Sequence, residues 1–151
     1  MMSELSGDQV ARKRALDILA AAPSRALAVL WDGYEPKPQH KALRLPETGL
    51  VMVRGRTGGG GAPFNLGEAT VSRASVRIDS GEVGHGYCLG RDTAKAEVIA
   101  LIDALRQRDP ARIDNEIVAP LEQATAAANQ QRRDESAATR VDFFTMVRGD
   151  D

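Results

Sequence analysis

Thr70-Val71-Ser72-Arg73-Ala74-Ser75-Val76-Arg77-Ile78-Asp79, then Ser80-Gly81, then Glu82-Val83-Gly84-His85-Gly86-Tyr87-Cys88-Leu89, is the stretch that decides the fold. In its first half Thr70, Ser72, Ala74, Val76 and Ile78 oppose Val71, Arg73, Ser75 and Arg77, the two-residue period of a strand with unlike faces. Ser80-Gly81 is a hairpin turn signal, so Glu82 to Leu89 returns as an antiparallel neighbour. Gly84 and Gly86 carry no side chain to pack, and they predict close approach by another backbone.

Downstream of the hairpin, Asp92 or Thr93 can cap an amphipathic helix running to about Arg108, with Val98, Leu101, Ile102 and Leu105 on its buried face. Pro110 closes that helix. A further helical region, interrupted at Pro120, runs from Ile113 to about Arg133, and a polar stretch reaches Arg140. Val141 to Arg148 then reads as a closing strand. It carries large apolar side chains on both faces, which a solvent-facing edge strand would avoid. That pattern predicts an assembly element in which Phe143, Phe144, Met146 and Arg148 meet a partner; the alternative is that the octet fills the chain's own aromatic-poor core.

Upstream, Leu50 to Arg56 and Lys41 to Leu45 are two short strands divided by the turn-like Pro46-Glu47-Thr48-Gly49. Tyr34 to His40, with two prolines, is a connector. Asp8 to Ala22 reads as a helix ended by Pro23, and Ser24 can cap a second helix from Arg25 to Asp32, stopped by Gly33. The order of elements predicts an α+β fold: an antiparallel or mixed sheet of about five strands with helices packed on it. A length of 151 residues fits one domain. Residues 1–7 are expected to be disordered, and residues 141–151 to form a C-terminal strand and tail.

Twenty basic against 21 acidic side chains give a net charge of −1, so no concentrated positive field for nucleic acid is expected. No apolar run is long enough for a membrane span, and the start lacks the basic flank and apolar stretch of a secretory signal. One cysteine, Cys88, excludes an internal disulfide, and together these features point to the cytoplasm.

The four glycines Gly58–Gly61 admit a phosphate-loop reading with Arg54 or Arg56. No Gly-Lys-Ser/Thr follows, however, and the loop leads into a strand, so a hairpin or surface loop is expected. His85 and Cys88 are three positions apart on a strand and so face opposite sides, which argues against a shared metal; no metal site is expected. His85 alone reads as a structural or interface histidine, or as an acid–base or ligand contact. Arg73 and Arg77 share a strand face, and Arg91 stands at a helix entrance where anions are favoured. They read either as surface ion pairs with Glu68, Asp79 and Asp92 or, for Arg73, His85 and Arg91, as contacts to an anion. No nucleophile–base pair is visible along the chain, so no catalytic residue is assigned.

Longer words then match a known family. Pro46-Glu47-Thr48-Gly49-Leu50-Val51, Pro63 to Ala74, Gly84 to Asp92, Ala100 to Leu105 and Thr139 to Asp150 occur in the order seen in the PhnG family, and the chain resembles it over residues 8 to 150. The resemblance implies a subunit of the carbon–phosphorus lyase machinery, with the I, H and J proteins and the L protein as partners. With the I, H and L proteins such a subunit would displace adenine from ATP with methylphosphonate, giving ribose 1-methylphosphonate 5-triphosphate, and the iron–sulfur radical subunit would break the carbon–phosphorus bond later. The I protein is the usual candidate for that chemistry, so the resemblance implies an accessory subunit, inactive alone. The alternative is a subunit lending Arg73, His85 and Arg91 to a shared nucleotide or phosphonate pocket, with ATP or phosphonate bound only inside the complex. One cysteine supplies no iron–sulfur ligand set, so no cofactor is expected.

Overall fold

In the computed structural model, the structure describes residues 4–56 and 60–148, the side chains of Asn65 and of 140–148 excepted. Helix α1 (Gly7–Ala21) opens on a capping box, in which Ser6 accepts the Gln9 amide while the Gln9 side chain accepts the Ser6 amide. Helix α2 (Ser24–Asp32) follows, with Pro23 at its cap position. Ser24 is therefore the first helical residue rather than a cap, and its hydroxyl donates instead to Asp92 Oδ2 at 2.8 Å.

Three antiparallel strands form one sheet in the order β1 (His40–Arg56), β2 (Pro63–Ile78), β3 (Val83–Leu89). The α+β class stands, and among the described residues the sheet has three strands. The two short strands expected before the glycines are a single long one. Pro46 does not divide it, because it falls where the register shifts between Arg44 and Glu47, an irregularity that needs no donor from proline. The glycine tract lies between Arg56 and Pro63, which are paired, so it connects the two arms of a hairpin; residues 57–59 lie outside the described ones.

Helix α3 (Thr93–Arg108) is capped by Asp92, which accepts the Lys95 amide at 3.0 Å. The buried face is wider than the predicted stripe. Val98 is only half-buried, whereas Ala96, Ile99, Ala100, Asp103 and Ala104 join Leu101, Ile102 and Leu105 inside. Pro110 closes α3 as expected, because Asp109 before it leaves the helical region at φ −142° and ψ 77°. Pro110 also opens α4 (Pro110–Ile113), and a π-helical turn at Asp114–Val118 leads directly into α5 (Ala119–Arg148). The wider turn precedes Pro120, whose ring would clash with a carbonyl four residues back, and the Ala119 amide reaches five residues back to Asp114.

Helix α5 continues to Arg148, so the C-terminal octet is helical and not the predicted strand. The side chains of Phe143, Phe144, Met146 and Arg148 lie outside the described ones.

The core joins one sheet face to the helices. Ala74, Val76, Ile78 and Cys88 meet Leu19, Leu27, Ile99, Ile102, Ile117 and Leu121. The two glycines of β3 set how close that face comes. A Cβ at Gly84 would lie 1.9 Å from the Ala100 carbonyl oxygen, and one at Gly86 1.8 Å from that of Ala96. Strand β3 thus rests on the backbone of α3, along a stripe of Ala96, Ala100 and Ala104.

Candidate functional site

With the helices on one side, the other face of the sheet is exposed among the described residues except at Val71. Residues directly opposite on paired strands share a face, which places Lys41 with Arg77, Arg44 with Ser75 and His85, and Glu47 with Arg73 and Tyr87. Val71 is buried; Lys41, Arg44, Glu47, Arg73, Arg77, His85 and Tyr87 are exposed and Ser75 is half-buried. The face therefore carries four permanent cations and one carboxylate. Arg73 Nε donates to Glu47 Oε1 at 2.7 Å, and Arg44 approaches the same oxygen at 3.6 Å. Glu47 is thus the ion-pair partner of Arg73, in place of the predicted Glu68, Asp79 or Asp92.

Of the three residues expected to contact an anion, the structure brings Arg73 and His85 onto this face as diagonal neighbours. Arg91 belongs to the turn after β3, outside the ladder, and is exposed. That turn is fixed from beneath by a residue the sequence reading passed over. Ser72 is fully buried; its hydroxyl donates to the Gly90 carbonyl at 2.7 Å and accepts the Asp92 amide at 3.0 Å. Gly90 takes φ +91°, which a side chain would resist. Asp92, held by the Lys95 amide and then the Ser24 hydroxyl, sits below the usual carboxylate range.

His85 is held twice. Its Nδ1 and the Ser75 hydroxyl lie 2.8 Å apart, and its backbone amide donates to Asp103 Oδ2 at 2.9 Å. A nucleophile–base contact therefore exists that the linear sequence did not display. It is not a hydrolytic triad, because Asp103 accepts from the main chain of His85 and not from its ring. Asp103 itself is 1% exposed and receives a two-pronged contact from Arg12, Nε to Oδ1 at 2.9 Å and Nη2 to Oδ2 at 2.7 Å. That pairing raises the Arg12 guanidinium further above its ordinary value, chiefly through the side-chain hydrogen bond. Gln107 Nε2 also donates to the Val83 carbonyl at 2.7 Å, so side chains of α3 satisfy the outer edge of β3.

Cys88 faces the other way from His85, into the core, and burial pushes its thiol up. A groove of about 540 Å³ runs between α1 and α5 in the helical layer, edged by the Arg14–Glu122 pair at 2.7 Å. Among the described residues no three His, Cys, Asp or Glu side chains gather as metal ligands, and no helix is long and apolar enough to cross a membrane.

The family described as "Phosphonate metabolism protein PhnG" matches residues 10–149. A relative from Rhizobium meliloti (strain 1021), the "Alpha-D-ribose 1-methylphosphonate 5-triphosphate synthase subunit PhnG", is 52% identical over 141 residues. The match covers 93% of this chain and 90% of the relative.

Proposed function

The chain belongs to the PhnG family, and on that footing we propose that it is an accessory subunit of a ribose 1-methylphosphonate 5-triphosphate synthase in phosphonate catabolism. It works in the cytoplasm beside the I, H and J proteins and the L protein. In the reaction, an oxygen of methylphosphonate takes the place of adenine on the ribose of ATP, and the triphosphate is retained. The observation that carries this reading is the near end-to-end match to a curated synthase subunit. The chemistry of the site agrees with an accessory part. Its Ser75–His85 pair lies on an exposed sheet face, where water is not excluded, and among the described residues no carboxylate bonds the ring.

One observation favours a second contribution. Lys41, Arg44, Arg73 and Arg77 share the open face with His85, and a cationic surface of this kind suits a polyphosphate brought to it by a neighbouring subunit. Reconstitution tests both. The purified chain with ATP and methylphosphonate should release no adenine, and the other subunits should release it only when the chain is added. Adenine release by the chain alone, or full activity without it, would overturn the accessory role. Arg73→Ala in the assembled complex should weaken ATP about tenfold, the loss of a charge-assisted contact; unchanged affinity would remove the cationic face from the site.

A further inference from the structure

Strand β3 pairs with β2 from Val71 to Arg77, and the Gly90 amide adds one bond to the Thr70 carbonyl, so among the described residues Leu50–Arg56 and Pro63–Ala69 form a ribbon of two strands with no third. None of the described residues from Gly49 to Thr70 is buried. The ribbon is nevertheless apolar. Leu50 and Met52 on one face are 65% and 56% exposed, and Phe64 and Leu66 on the other are 45% and 61% exposed, beside Val53 at 40%. A lone two-stranded ribbon is marginal in water, and an exposed apolar strand pair is a template for association.

We propose that this ribbon is the arm by which the chain seats in a different subunit of the synthase, inside an apolar cleft that grips both faces and is acidic toward the tip. The proposal rests on the subunit reading above. A cleft is required because the apolar side chains stand on both faces, which one flat surface would cover only by half. The arm is thin where it would enter. A Cβ at Gly55 would lie 2.6 Å from Leu66 Cδ1, so Leu66 lies flat across the bare backbone of β1. Charge decides against a second copy of the chain. Arg54 and Arg56 outnumber Glu68 on the ribbon, and a two-fold contact between identical arms would set these cations against each other.

The experiment is co-expression of the full chain with the I, H and J proteins, pulling on a tag carried by one of those proteins. Met52→Asp and Leu66→Asp place a charge on each face, and Arg54→Glu with Arg56→Glu reverses the tip. Each should cut recovery of the chain at least tenfold while the isolated variants keep the wild-type melting temperature, since every altered side chain is exposed. The charge-reversal variant keeps the test valid if an Asp variant folds poorly. Undiminished recovery of the variants overturns the arm and leaves the subunit reading intact. A wild-type chain that dimerises alone, with Leu66→Asp abolishing the dimer but not co-purification, assigns the arm to a second copy and overturns the proposal. Failure of the wild-type chain to co-purify overturns the subunit reading itself.

Discussion

Gly86→Ala tests the contact on which the sheet's position depends. The added methyl would arrive 1.8 Å from the Ala96 carbonyl oxygen and 2.8 Å from the Ala100 nitrogen. A carbon and a carbonyl oxygen tolerate roughly 3.2–3.4 Å, so strand and helix must separate by about 1.5 Å. A radial gap of 0.5–1 Å already forfeits about a quarter to a half of each dispersion contact. Overpacking usually costs about 1–3 kcal/mol. Here both obstructing atoms are backbone and neither can rotate aside, so the cost should be about 3 kcal/mol or more. For a chain of this size that lowers the melting temperature by roughly 6–12 °C. The assay is urea unfolding of the full chain, with Gly60→Ala as control, because nothing lies within 4 Å of a Cβ there. The control should be neutral or slightly stabilising. A Gly86→Ala chain with the wild-type midpoint would refute the idea that β3 rests on the backbone of α3.

Two further outcomes follow from the charged groups. Arg12→Ala leaves the buried Asp103 carboxylate with only the His85 amide, and should cost about 3–5 kcal/mol, whereas Arg12→Met with Asp103→Leu should cost less than the single change; additive losses in a double-mutant cycle would show that the two are not a unit. Asp92 is held below the ordinary carboxylate pKa of about 3.9, so its contribution is complete above that value and is lost as pH falls through its lower folded value; Asp92→Asn should flatten the decline of the urea midpoint on the acid side of that ordinary value, and an unchanged slope would contradict the sign.

Much of the sheet was legible in the sequence because its signals are local. Ser80-Gly81 marked the turn, and centring the loop on Ser80 also fixes the register: Ile78 opposite Glu82, hence Ser75 opposite His85 and Arg73 opposite Tyr87. The Ser75–His85 contact was therefore within reach of turn geometry, although no motif announced it. Asp103 was not, because its value lies in Arg12 some ninety positions away, and a carboxylate inside an apolar helical face looks like an interruption of the stripe. Pro46 misled for the opposite reason. Proline is a sound local break, but a register shift in the strand accommodates it.

The C-terminal octet shows where local propensity loses. Val141, Phe143, Phe144 and Val147 favour a strand taken alone. Yet they continue an Ala- and Gln-rich helix, and adding a residue to an existing helix costs far less than nucleating a new element. The same octet, read as a strand, had drawn the docking role to itself because apolar side chains fell on both faces. In a helix that two-faced alternation no longer applies to the octet. The described residues that show it are on the β1–β2 ribbon, where each strand looked ordinary in sequence: the alternation of Leu50 to Val53 suggests one face in and one face out. The end of the β3 ladder at Val71 and the exposure of the residues beyond it show that, among the described residues, neither face of the ribbon is buried. The hairpin's apolar character was thus legible from its residues, whereas the place where the third strand stops was set by a register between distant segments.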